Sequence, residues 1–159
     1  MANRFERFKQ IARRAYRFTE AETTKSEGGH PFNARNVHAD LPGEVRRLFD
    51  NGHFAHATLE AFKFVDEEMQ RISGSSDYGS RLMMRVLGGS SPVVKLNPGM
   101  TKSEKSEQEG FKLLFTGAML AIRNPRGHTS GLSDDPDTCL DHLSLASLLL
   151  RRLDEAGLR

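Results

Sequence analysis

An all-helical bundle is the fold this sequence predicts, and three observations predict it. Apolar residues recur at spacings of three and four, no run alternates with period two beyond a few residues, and Gly or Pro stops cut the chain into helix-length pieces. The 159 residues suffice for one main domain with its own core and are too few for most two-domain enzymes. Hydrophobic residues make up 37% and charged residues 28%, the balance of a globular chain and neither a disordered nor a fibrous one.

Each element follows from its own spacing. Phe5, Phe8, Ile11, Ala12, Ala15 and Phe18 share one stripe, so an amphipathic helix is expected over 3–21, stopped by Gly28-Gly29-His30-Pro31. A polar loop with solvent-exposed His30 and His38 then reaches Pro42-Gly43. Beyond a stop at Asn51-Gly52, the set Ala55, Leu59, Phe62, Val65, Met69 and Ile72 marks the central helix, ended by Ser73-Gly74. Residues 81–87 read as a short helix. Residues 88–106 read as an extended connector, long enough to be mobile, in which Val93, Val94 and Leu96 could make a small strand.

The next helix spans 107–123, with Phe111, Leu114, Phe115, Ala118 and Ile122 at helical intervals and Gly117 leaving room for a close helix contact. Pro125 cannot continue the ladder, which places Arg123 in the last turn and Gly127-His128 in the exit loop. The final helix opens with Asp135 as N-cap and Pro136 at the first helical position, then runs through Leu140, Leu143, Ser147 and Leu150 toward Gly157. The organisation expected is an N-terminal helical arm and loop over 1–43, followed by a bundle of four to five helices over 44–159.

Several function classes drop out at once. No stretch approaches the roughly 18 apolar residues of a membrane span. The start, Met1 to Phe8, lacks the apolar core of a secretory signal, so a cytoplasmic protein is expected. Cys139, the single cysteine, rules out an internal disulfide and a thiolate metal cage, and neither cofactor nor metal is expected. With 23 Lys and Arg against 21 Asp and Glu the chain is no polycation, so any nucleic-acid binding must be local. The basic excess sits in Arg4, Arg7, Lys9, Arg13, Arg14 and Arg17, and an acidic patch runs from Asp134 to Asp141.

The segment Ala121-Ile122-Arg123-Asn124-Pro125-Arg126-Gly127-His128 carries the chemistry. It sets a permanently charged guanidinium, a planar amide and an imidazole within six residues at a forced helix end. Arg offers phosphate a planar fork of donors, and His, with an ordinary pKa of about 6.5, gives or takes a proton near neutrality. That pairing suits RNA cleavage by 2′-hydroxyl attack, where one group moves protons and another holds the charging phosphoryl oxygens. On spacing alone, such a pair is common and more often serves helix capping and surface hydrogen bonding.

Other candidates carry less. His53 and His56, three apart, could share a helix face and bind a metal with Asp50 or Glu60, but such pairs usually pack or face solvent. Asp66, Glu67 and Glu68 point in different directions and read as a solvated face. Cys139 and the Met69, Met83, Met84 and Met119 set read as core. Trp is absent and Tyr appears twice, too little for a base-stacking platform.

The pattern Arg, a polar residue, three residues and His resembles the motif of the HEPN superfamily, all-helical domains that include many metal-independent ribonucleases of prokaryotic defence and toxin systems. From about Leu48 to Leu153 the chain resembles the Ymh-type HEPN family. The stretches that carry this are Phe62-Lys63-Phe64-Val65-Asp66-Glu67, Leu82-Met83-Met84-Arg85-Val86-Leu87, Glu109-Gly110-Phe111-Lys112-Leu113-Leu114-Phe115-Thr116-Gly117-Ala118 and Ile122 to His128. The resemblance implies a homodimer, or a higher oligomer, with two such motifs facing each other across a two-fold axis around one RNA cleft. Under that reading His128 transfers protons, Arg123 clamps phosphate, Asn124 orients the imidazole or the phosphate, and Arg126 adds substrate affinity. The alternative is a noncatalytic HEPN module that binds RNA or a partner protein, and a regulatory partner is compatible with either.

Overall fold

The computed structural model describes residues 29–129 and 131–159. The helix expected over 3–21 and the basic excess of residues 4–17 lie outside them. The chain divides into two units, Met1–His30 and Pro31–Arg159, and the architecture below is that of the second. It is all-α: α1 (Pro31–Ala34), α2 (Gly43–Asp50), α3 (Phe54–Ser73), α4 (Gly79–Leu87), α5 (Lys102–Ala118), a wide π turn (Met119–Arg123), α6 (Asn124–His128) and α7 (Pro136–Glu155), with no strand among the described residues.

Helix α3 is the axis of the bundle. Its Ala57, Ala61, Phe62, Val65 and Met69 are wholly buried, and it packs against α2, α4, α6 and α7. Of the stripe read from the sequence, Phe62, Val65 and Met69 are core, while Ala55, Leu59 and Ile72 are half-buried at its edges, and Gly74 ends the helix in the left-handed region at φ +66°, where a side chain would be strained. Helix α7 begins as its cap predicts, with the Thr138 N–H donating to Asp135 Oδ1 at 3.0 Å, and it buries Leu140, Leu143, Ser147 and Leu150. Cys139 is core, and the Thr58 hydroxyl donates to its Sγ at 3.5 Å.

Three expectations need correction. The polar loop before Gly43 is part of the bundle, because Val37 and Leu41 pack on the core and the His38 N–H donates to Ser147 Oγ at 2.8 Å. The His38 ring is nearly buried, with Nε2 2.8 Å from Asp154, so it is no solvated histidine. The compact unit accordingly begins at Pro31. Met84 is the exposed member of the methionine set.

The connector after α4 is pinned. Gln108 accepts from the Leu96 N–H at 2.8 Å and donates to the Leu87 and Val94 carbonyls at 3.0 Å each, while the Val94 N–H donates to Val86. Val94 and Leu96 are buried as single anchors with no strand. Helix α5 starts at Lys102, more than a turn before Glu107, because Thr101 and Glu104 form a reciprocal capping box.

The largest departure is at Pro125. The helix does not stop there but runs on to His128, and Thr129 donates back to the Pro125 carbonyl. Between Met119 and Arg123 the ladder widens to i→i+5, the Asn124 N–H donating to the Met119 carbonyl. A plain ladder would need an N–H at 125 and would press the ring on the carbonyl four residues back; the wider turn relieves both demands.

Candidate functional site

The helical path through Pro125 decides how the motif is presented. Asn124 and His128 lie one turn apart on α6, and Arg123 stands beside Asn124 at the end of the wide turn, a place where such turns often mark function. All three side chains border one cleft of about 250 Å³. Its opposite wall is the segment that opens α4, including Tyr78, Ser80 and Arg81. The sequence thus named three residues that the fold does bring together.

Arg123 is half-buried and has no carboxylate within salt-bridge distance among the described residues. Its Nε is buried without a hydrogen-bond partner, and its Nη1 lies 3.4 Å from Asn124 Oδ1, at the long limit of a hydrogen bond. The Nη groups are the donors that such a guanidinium, bordering the cleft, can offer an anion. His128 is exposed at the cleft mouth, where an imidazole can exchange protons with a ligand.

Behind Arg123 lies a residue the sequence reading placed on a solvated face. Asp66 is 5% exposed on α3, and its Oδ1 accepts the Gly79 N–H at 2.8 Å, which anchors the start of α4 and with it the far wall of the cleft. Burial raises its pKa, against the opposing effects of the Gly79 hydrogen bond and the nearby Arg123 charge. The position was legible in principle: Asp66 falls four residues after Phe62 and three before Met69, on the buried stripe.

Arg126 stands apart from this arrangement. Its Nε and Nη2 donate to Asp134 at 2.7 Å each and its Nη1 to the Ile122 carbonyl at 2.9 Å, with both side chains of the pair nearly buried. Its fork holds the segment after α6 onto the bundle, and Arg126 is not among the residues that border the cleft. Asp134 therefore leaves the presumed acidic patch, as do Asp135, which caps α7, and Asp141, bound by Arg35 at 2.6 Å. His142 lies on the same pair, Nδ1 4.0 Å from Asp134, and its pKa is lowered by burial first and by Arg126 second.

The remaining candidates do not form sites. His53 and His56 are exposed, with ring centroids 6.2 Å apart, and no group of three metal-binding side chains occurs among the described residues. Burial pushes the Cys139 thiol up to about 11, far from a nucleophile's range. No described helix is long and apolar enough to cross a membrane.

No curated protein and no solved structure matches the chain. A family model does match, over residues 35–153, a span that begins in the pinned loop before α2 and ends in α7 and so includes both walls of the cleft. The chain belongs to that family, Hypoth_Ymh, described as proteins of unknown function.

Proposed function

We propose that this chain is an endoribonuclease of the HEPN type, with an active site completed across a homodimer. The observation that carries the reading is the convergence of Arg123, Asn124 and His128 on one cleft, with the guanidinium unclaimed by any described carboxylate. In this reaction the 2′-oxygen attacks the adjacent phosphorus and the bond to the 5′-oxygen breaks. One imidazole takes the 2′-hydroxyl proton and a second gives a proton to the leaving 5′-oxygen, so the ends are a 2′,3′-cyclic phosphate and a 5′-hydroxyl. Arg123 counters the charge that grows on the phosphoryl oxygens. The protons and the charge are balanced by these side chains, and the step calls on no metal.

Each chain brings one His128, whereas the reaction uses an acceptor and a donor; a two-fold dimer supplies both. Helix α5 and the wide turn that follows it support that assembly. Gly110, Leu113, Leu114, Gly117, Leu120 and Ala121 form an exposed stripe, with Leu113 57%, Leu114 46% and Leu120 54% exposed. Among the described residues nothing lies within 4 Å of the position a Cβ would take at Gly110 or Gly117, so the room these glycines leave faces away from the described bundle. The resemblance to defence and toxin nucleases suggests a role in antiviral defence or as a toxin, acting on cytoplasmic RNA.

The test is incubation of the full chain with total RNA in EDTA, beside His128→Ala and Arg123→Ala. Cleavage with cyclic-phosphate ends that survives EDTA and is lost in both variants is the expected result. RNA binding without cleavage, unchanged in His128→Ala, would replace the enzyme by a noncatalytic binding module.

A further inference from the structure

A second cavity, of about 420 Å³, is built at the other end of α5 and shares no lining residue with the cleft at Arg123. Its wall is the connector between α4 and α5, residues 88–101. Connectors of this length without regular structure are uncommon in small domains and tend to be functional. This one is also held rigid: besides the three hydrogen bonds of Gln108, the Leu96 carbonyl accepts from Arg152 at 2.9 Å. The cavity is therefore preformed and lies in the size range of small-molecule sites.

Its charge is unbalanced. Lys95 and Lys105 border the cavity and have no carboxylate partner among the described residues. Glu109 also borders the cavity and is paired with Lys112, while the neighbouring Glu104 lies in the capping box and Glu107 is 3.1 Å from Arg152. Ser90 and Ser91 add hydroxyls to the same wall, and Leu87 supplies an apolar floor. Two free ammonium groups and two hydroxyls suit a phosphate, and the apolar floor suits a flat, weakly polar body attached to it.

We propose that this cavity binds a nucleoside monophosphate, with its phosphate at Lys95 and Lys105 and its base toward Leu87. The site is separate from the proposed nuclease centre and does not depend on it.

Thermal melts of the full chain test this, with adenosine and uridine monophosphates, adenosine and inorganic phosphate at millimolar concentration. A rise in Tm of about 3 °C or more with a nucleotide is expected, together with smaller rises for adenosine or phosphate alone. That rise should vanish in Lys95→Gln/Lys105→Gln, whose unliganded Tm stays at the wild-type value because both lysines are exposed, and should persist in Arg123→Ala/His128→Ala. The proposal is overturned if no nucleotide raises Tm, if inorganic phosphate acts as strongly, or if the effect follows Arg123 and His128. It is overturned too if the lysine variant weakens an RNA oligomer and no nucleotide effect exists, for the cavity would then be part of an RNA track. Loss of RNA cleavage in the nuclease assay leaves the melting result unaffected, so the two readings fail separately.

Discussion

Asp66 carries two duties that one substitution separates. Asn at this position keeps an oxygen for the Gly79 N–H but has no charge to desolvate, whereas Ala loses the anchor as well. Because burial raises the Asp66 pKa in the folded chain, folding favours its protonated form. Its contribution is fully present below the ordinary carboxylate pKa of about 4 and is lost as pH rises through the elevated value. Melting curves across that range should therefore show Asp66→Asn gaining on the wild type as pH increases, and Asp66→Ala costing about 2 kcal/mol near neutrality. His142 works in the opposite sense: its lowered pKa means stability present above about 6.5 and lost as pH falls through the depressed value. His142→Gln should flatten the loss of Tm between about pH 7 and pH 5, and an unchanged acid slope would show that another group sets it. At this scale the sequence pointed to Arg123, Asn124 and His128, which the fold gathers on one cleft, but which arginine is already held by a carboxylate depended on Asp134, a partner eight residues from Arg126 that spacing does not identify.

Helix α5 shows how local signals and tertiary ones divide. Its true start is written in Thr101 and Glu104, a short-range pattern that outweighs the polar character of residues 102–106. Thr101→Ala should cost about 1 kcal/mol in urea unfolding with an unchanged slope, since one helix end loses a cap while the core stays intact. The connector before it was read as mobile because its residues are polar and its prolines break any ladder. Much of what holds it is the Gln108 side chain, which reaches three backbone groups 12, 14 and 21 residues away and is joined by Arg152 at the Leu96 carbonyl. Periodicity carries no trace of such bonds. The cap and first turn of α7, by contrast, were legible to the residue, because Asp135, Pro136 and Thr138 act on immediate neighbours.

For the whole molecule, the all-α class followed from period alone, and the buried faces of α3 and α7 coincide with the stripes read along the chain. What period could not assign is the destination of an apolar stripe. Leu114 and Gly117 looked like core and contact room, yet they lie on the outward side of α5. In the dimer proposed above, this side is the partner surface. Leu113→Arg/Leu120→Arg should convert a dimer to a monomer in sedimentation or light scattering, with the folded Tm of the subunit within a few degrees and RNA cleavage abolished. Cleavage by a monomeric variant would break the link between assembly and chemistry. Segment 31–43 teaches the converse lesson, since a stretch polar on average joins the bundle through Val37, His38 and Leu41.

The widened turn at 119–123 absorbs one residue, so the helix beyond it keeps the phase of a cylinder one residue shorter. Deleting the exposed Ala121 would leave every motif side chain in the chain and restore the ordinary winding. The ring of Pro125 would then strike that winding at a cost of about 3 kcal/mol, enough to drive the backbone off the cylinder before Asn124. His128 would fall into a loose end, so a single lost codon separates an aimed imidazole from a wandering one.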